Sequence, residues 1–252
     1  MILAYDGTNY VGWQTQPNGI TVQETVEHAL LEVTKQQIAL HGSGRTDSGV
    51  HAKAQVAHFD TDVRMAADKF AIALNMHLPP DIRVLYTEEC DPEFHARFCA
   101  KKKQYCYRLH VAPHADVFSR RYALQLHHIP DFEAMQAAAK DVIGTHDFRA
   151  FMSSGTTMEN TVRTVESSEW LRDGANWTYT VTGTGFLYNM VRILVGTMLA
   201  IGAHQLPVDA IRKALETLDR SDAGPTAPAH GLTLARVLYP DFDTEEVLSR
   251  ER

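Results

Sequence analysis

The ten residues Gly42-Ser43-Gly44-Arg45-Thr46-Asp47-Ser48-Gly49-Val50-His51 constrain this chain more than any other stretch. They lie between two runs that read as strands, Ile38 to His41 and Ala54 to Phe59. Three glycines in eight positions supply backbone angles closed to other residues and let a ligand approach the main chain. Asp47 sits in the middle, with Arg45 two residues before it. A guanidinium beside a carboxylate stabilises the anion, and its fork of N–H donors can fix the carboxylate's orientation. An anionic, aimed carboxylate can act as a nucleophile or a base. On spacing alone, a long hairpin loop with a surface ion pair explains the same residues, because both features are common.

The run Gly44-Arg45-Thr46-Asp47-Ser48-Gly49-Val50-His51-Ala52 also resembles the active-site motif of the tRNA pseudouridine synthase A family. The match is long and chemically unusual, far more specific than a lone glycine pattern. Four more segments resemble the same family in the same order: Tyr5-Asp6-Gly7 with Tyr10 and Gly12-Trp13-Gln14; Phe94-His95-Ala96-Arg97-Phe98; Phe186-Leu187-Tyr188-Asn189-Met190-Val191-Arg192; and Gly224 to Leu232. Members of the family carry several residues ahead of the first strand. The resemblance therefore implies a first strand trimmed at its start, or a chain begun at an internal methionine.

Periodicity supplies the elements around these segments. Met1 to Tyr5 reads as a strand. Thr21-Val22-Gln23-Glu24 is a capping box, and Val22, Val26, Ala29, Leu30 and Val33 recur at helical spacing, which predicts an amphipathic helix over 21–35. A second helix is expected from Met65 to Asn75, stopped by Leu78-Pro79-Pro80, and a strand over Ile82 to Tyr86. From Gln104 the chain alternates: Tyr105, Tyr107, Leu109 and Val111 take one face, and Gln104, Cys106, Arg108 and His110 the other. Asp131 opens a helix through Ile143, ended by Gly144. Thr161 to Leu171 and Trp177 to Thr184 read as a hairpin around Asp173-Gly174. Phe186 to Ala203 is an apolar run, too short and too interrupted by Asn189 and Arg192 for a membrane span, so it predicts a buried helix. A charge in so apolar a run is costly unless paired. Arg192 therefore meets a carboxylate in a cleft, Asp47 being one candidate, or lies at the exposed end of the helix. Pro207 opens a helix with Val208, Ile211, Leu215 and Leu218 on one face. A last strand is expected near Leu234 to Tyr239, and the acidic tail from Asp241 is expected to fray.

With 252 residues, 44% of them hydrophobic and 22% charged, the chain can bury a sizeable core as one large domain or two lobes. Its three cysteines, Cys90, Cys99 and Cys106, form no C-x-x-C, which excludes a disulfide framework and suits a reducing cytoplasm. None of the 13 histidines forms an H-E-x-x-H pair, so no metal is expected. Met1 leads straight into Ile-Leu-Ala-Tyr-Asp-Gly, without the basic start or apolar run of a signal peptide. The net charge of −7 argues against nucleic acid until its distribution is considered. From Arg97 to Arg121 the chain holds seven basic residues and one acidic, a local +6 against −13 elsewhere. A local patch matters more to a phosphate backbone than the total, although a solvated charged face has the same composition.

What the resemblance implies is specific. The fold is α+β with the pseudouridine synthase architecture: two lobes, each a mostly antiparallel sheet backed by helices, with a catalytic cleft between them. The expected division is 1–100, carrying the catalytic aspartate loop, and 101–252. The activity is isomerisation of uridine to pseudouridine at positions 38 to 40 of the tRNA anticodon arm, by a homodimer, with no cofactor, metal or membrane. Asp47 is the catalytic carboxylate; it can attack C1′ of the ribose, attack C6 of the ring, or remove a ribose proton. Arg45 and Arg192 keep Asp47 anionic and aimed, and Arg45 can also wedge into the stem where the base leaves. Tyr105 stacks on the flipped base, although periodicity alone makes it a core residue of a buried sheet face. The local charge, rather than the resemblance, assigns Lys101, Lys102 and Lys103, just before Tyr105, to phosphate. Two rival readings remain: an RNA-binding module without chemistry, and a hydrolase using Asp47 with His51 or His58.

Overall fold

The computed structural model describes residues 1–153 and 158–250. The chain divides into two units, Met1–Lys103 with Thr233–Arg252, and Gln104–Leu232.

In the first unit, strand β1 (Ile2–Tyr5) leads to helix α1 (Val22–Thr34). The Thr21 side chain accepts from the Glu24 amide at 3.3 Å, a cap that contributes about 1 kcal/mol. Val22, Val26, Ala29 and Leu30 form the buried face of α1, and full burial of an aliphatic side chain of this size contributes roughly 1.5–3 kcal/mol. Strands β2 (His41–Gly42) and β3 (His51–His58) pair antiparallel, with His41 opposite His58 and Gly42 opposite Ala57. The hairpin around Asp47 is therefore present, but its first strand is only two residues long. The backbone before it is satisfied by α1 instead: the Leu40 amide donates to Glu27 Oε1 at 3.0 Å, and the Leu40 carbonyl accepts from Gln23 Nε2 at 3.1 Å. Helix α2 (Ala67–His77) and strand β4 (Ile82–Tyr86) follow, and β1 pairs antiparallel with both β3 and β4.

Strand β5 (Lys102–Val111) leaves the first unit after Lys103 and enters the second. Its alternation is as expected, with Tyr105, Tyr107, Leu109 and Val111 buried. The short strand β6 (Leu124–Leu126) pairs parallel to β5. Helix α3 (Phe132–Lys140) starts at Asp131, whose side chain accepts from the Ala134 amide at 3.0 Å. It stops before Ile143, and Gly144 begins strand β7 (Gly144–Asp147), which pairs antiparallel with β8 (Val162–Asp173). Strand β9 (Asn176–Gly183) completes the expected hairpin with β8. The order within this unit is β5-β9-β8-β7. Helix α4 (Met190–Gly202) buries nearly every residue, and α3 packs on α4 and on β8. Helix α5 (Ala210–Thr217) starts three residues after Pro207 and buries Ala210, Ile211 and Ala214, leaving Val208 exposed.

The chain then returns to the first unit. Strand β10 (Leu232–Leu238) pairs parallel to β3, with Thr233 opposite His51 and Leu234 opposite Ala52. The acidic tail does not fray at Asp241: helix α6 (Thr244–Arg250) follows. The Arg236 guanidinium clasps Asp243, with Nε 2.8 Å from both carboxylate oxygens. Asp243 accepts from the Glu245 amide at 2.9 Å, and Thr244 Oγ1 accepts from the Val237 amide at 3.0 Å. Burial alone would raise the Asp243 carboxyl, but the Arg236 fork and the Glu245 amide hold it below the usual carboxylate range. Each unit is thus a mostly antiparallel sheet backed by helices, an α+β architecture. Among the described residues no helix is long and apolar enough to cross a membrane.

Candidate active site

The loop between β2 and β3 is fixed from below by polar residues buried among apolar strands. Gln55, fully buried in β3, accepts from Ser43 Oγ at 2.6 Å and donates to the Gly44 carbonyl at 2.8 Å. The Tyr5 hydroxyl lies 2.8 Å from Thr46 Oγ1. Burial pushes the Tyr5 phenol far above its ordinary value, against its hydrogen bonds to Thr46 and Gln55, so it stays neutral. The Trp13 amide donates to the Thr46 carbonyl at 3.0 Å, and the Gly49 amide to the Tyr10 carbonyl at 3.2 Å. Gly12 has φ +102°, and a Cβ there would meet the Thr46 carbonyl oxygen at 2.7 Å, so only glycine fits against the loop. The segment Tyr5 to Trp13 is therefore a cradle for residues 44–49. Its resemblance to the family was legible in the sequence; this supporting role was not.

Held in this way, Thr46 is buried, Asp47 is half-buried and Arg45 is exposed. Among the described residues no ion pair joins Arg45 to Asp47. With Thr46 anchored inward on Tyr5, Arg45 is turned out to solvent. Lys103 Nζ donates to the Ser43 carbonyl at 2.6 Å and lies over the Gly44 peptide. Lys101 is exposed and Lys102 half-buried. The three lysines thus differ in placement, and Lys103 is in direct contact with the loop.

The two histidines of the hydrolase reading are both engaged. His51 Nδ1 lies 3.0 Å from the Gly7 amide and 3.2 Å from Asp6 Oδ1. His58 Nδ1 accepts from the Ala96 amide at 3.2 Å, and its imidazole is held below its ordinary pKa by burial and by the neighbouring His95 and His41.

In the second unit Tyr105 is buried, its ring edge-on to Phe186 at 5.3 Å. Arg192 lies in the first turn of α4. Its Nε donates to the Ala227 carbonyl at 2.8 Å and its Nη1 to Asn189 Oδ1 at 2.7 Å. Asn189, in the left-handed region at φ 60°, also donates to Ser153 Oγ at 2.8 Å. The segment 224–228 lies directly on α4: a Cβ at Gly196 would collide with the Pro225 carbonyl, and the Gly224 amide donates to Thr197 Oγ1 at 2.8 Å. The Tyr107 hydroxyl donates to the Pro228 carbonyl at 2.9 Å. Two of the resembling segments, the one from Phe186 to Arg192 and the one containing Pro228, are thus linked to β5, which carries Tyr105. The one H-x-x-x-H spacing, His110 to His114, falls across Pro113 at the end of β5 rather than on a helix. Among the described residues no group of three or more His, Cys, Asp or Glu side chains is placed to hold a metal ion.

The family model described as tRNA pseudouridine synthase matches residues 1–99 and 138–240. The chain belongs to the tRNA pseudouridine synthase family. Its relatives named tRNA pseudouridine synthase A include one from Halalkalibacterium halodurans, 46% identical over 235 residues, covering 93% of this chain and 89% of the relative. Another, from Acetivibrio thermocellus, is 44% identical over 239 residues, covering 95% and 98%. A third, from Bacillus subtilis, is 45% identical over 239 residues, covering 94% and 97%. A solved structure titled "Crystal Structure of a Cbf5-Nop10-Gar1 Complex" aligns over 88% of this chain and 68% of that chain, with 12% identity and a TM-score of 0.35. That score is too low to carry an argument. Membership in the family accounts for the five resembling segments together.

Proposed function

We propose that this protein converts uridines at positions 38 to 40 of the tRNA anticodon arm to pseudouridine, with Asp47 as the catalytic carboxylate. The observation that carries the reading is the built loop: a half-buried carboxylate on a backbone pinned by Tyr5, Trp13, Gln55 and Lys103, in a member of this family. A carboxylate on so fixed a support is preorganised, which is what a nucleophile or base requires.

The reaction asks little beyond placement. Uracil detaches from C1′, rotates, and reattaches through C5, so the elemental formula is unchanged and no oxidant or group donor is consumed. Asp47 acts at C1′, at C6 or on a ribose proton. Tyr105 takes the flipped base on its ring, and Arg192 supplies positive charge for the substrate. Arg45, exposed and without an ion pair among the described residues, enters the RNA where the base leaves rather than orienting Asp47. Lys101 and Lys102 meet phosphate, while Lys103 holds the Ser43 carbonyl of the loop. The working form is a homodimer in the cytoplasm, with one tRNA contacting both subunits.

The experiment is tritium release from tRNA carrying tritium at C5 of uridine, together with the mass of the product RNA. Isomerisation releases tritium, and the mass of unlabelled product stays equal to that of the substrate. A binding module releases none, and a hydrolase changes the mass.

A further inference from the structure

We propose that the turn Phe94-His95-Ala96-Arg97-Phe98 is a second RNA contact, which grips an unpaired nucleotide of the same tRNA through its base and phosphate. The inference rests on the proposed function for the identity of the RNA, but on its own geometry for the contact. The turn is rigid at its base. The Phe94 amide donates to the Asp91 carbonyl at 2.8 Å and the Cys99 amide to the His95 carbonyl at 2.9 Å. Ala96 is fully buried, and the Tyr239 hydroxyl donates to its carbonyl at 2.6 Å.

On this base the end of the turn is left open. Phe98 is 76% exposed, a large apolar ring that the fold does not cover. Its centroid lies 4.3 Å from that of His95, and the Arg97 guanidinium lies 5.7 Å from the ring centre. The rings continue beyond it: His95 to His58 at 4.6 Å, then His58 to His41 at 5.1 Å. His41 is the residue from which β2 enters the Asp47 loop. The ladder of rings therefore runs from the start of that loop to an exposed phenyl face.

The hydrogen bonds also leave a donor available. His95 Nδ1 accepts from the Arg97 amide at 3.1 Å, so the neutral imidazole carries its proton on Nε2. Among the described residues that N–H has no partner, and Arg97 makes no ion pair. An exposed ring beside two cationic or N–H donors matches the chemistry of an unstacked base with its phosphate. From Arg97 to Lys103 the chain carries four basic residues and no acidic one, which favours a polyanion over a protein partner of ordinary composition.

The test compares Phe98→Ala, Phe98→Trp and Arg97→Gln with the parent protein on full-length tRNA at several salt concentrations. Phe98→Ala is expected to weaken tRNA binding about tenfold, ~1.4 kcal/mol, with the loss carried by KM rather than kcat. Arg97→Gln is expected to weaken binding and make its salt dependence shallower. Phe98→Trp is expected to keep the affinity, and its added indole fluorescence to be quenched as tRNA is titrated in. Because Phe98 is exposed, all three variants should melt with the parent, so a loss of binding is not a loss of fold. Binding by Phe98→Ala within about twofold of the parent, or an indole that tRNA does not quench, overturns the contact. A parent that binds tRNA but releases no tritium overturns the proposed activity and leaves this contact standing.

Discussion

Asp47→Asn separates the charge of the loop from its shape. The amide is close in volume to the carboxylate, and the turn that holds the residue is made by its main chain, the Val50 amide donating to the Asp47 carbonyl at 3.1 Å. The variant should lose pseudouridine formation while tRNA affinity stays within about tenfold, ~1.4 kcal/mol. Substantial residual tritium release would sink the assignment. Tyr105 needs a paired comparison because it is 8% exposed and packs on Phe186. Truncating a buried aromatic to alanine typically costs about 3–5 kcal/mol, so Tyr105→Ala should lower the melting temperature as well as turnover. Tyr105→Phe keeps the ring and the packing, and should keep most of the turnover. A Phe variant as inactive as the Ala variant would show that the hydroxyl takes part, for example in moving the C5 proton.

The loop between β2 and β3 works as one element with the segment Tyr5 to Trp13, and Gly12 is where that joint can be broken by a single methyl group. Gly12→Ala places a Cβ against the Thr46 carbonyl and forces an L-residue to φ +102°. Strain of this kind costs on the order of 1–3 kcal/mol. The variant should lose turnover out of proportion to its loss of melting temperature, because the first thing displaced is the backbone beside Asp47; equal turnover in the two proteins would show that the cradle does not set the site. What the sequence made visible at this scale was periodic. Helix α1, the alternation of β5, the β8–β9 hairpin and the buried helix α4 are all long enough to show their period. Strands β2, β6 and β7 are two to four residues long, and β7 reads Gly-Thr-His-Asp, so no alternation could reveal them. The start of β3 at His51 depends on parallel pairing with β10, a partner about 180 positions away that no local pattern encodes. The tail from Asp241 reads as acidic and polar, yet Asp243 is held by Arg236 and caps α6. That bond lies between residues of types equally common on a loose surface. In the site, Asp47 and Arg45 were legible as a pair by spacing, but whether they face each other depends on Thr46, whose anchor Tyr5 lies 41 residues upstream. Gln55 gave one local signal, an amide in a strand otherwise rich in alanine.

For the molecule as a whole, the question is how a chain of net charge −7 binds a polyanion. The +6 between Arg97 and Arg121 answers it only if those cations are free to meet phosphate, and the structure distinguishes among them. Lys101 is exposed, whereas Lys103 donates to the Ser43 carbonyl at 2.6 Å and so holds the loop that carries Asp47. The two lysines should therefore fail differently. Lys101→Gln should weaken binding to all tRNAs alike and make the log–log salt dependence of affinity shallower by roughly 0.7–0.9, the value of one phosphate contact. Lys103→Gln removes a charged donor from the Ser43 carbonyl in the loop that carries Asp47, a bond of about 1.5–3 kcal/mol, and should lower kcat even when tRNA is saturating. Changing Lys101, Lys102 and Lys103 to Gln together should combine the two effects, losing affinity, salt slope and turnover. Filter binding at several salt concentrations and single-turnover tritium release measure them separately. An unchanged affinity and slope in the triple variant would mean that another face of the protein meets the tRNA. A Lys103→Gln enzyme with normal kcat would mean that the loop keeps Asp47 in place without its lysine, on the support of Tyr5, Trp13 and Gln55 alone.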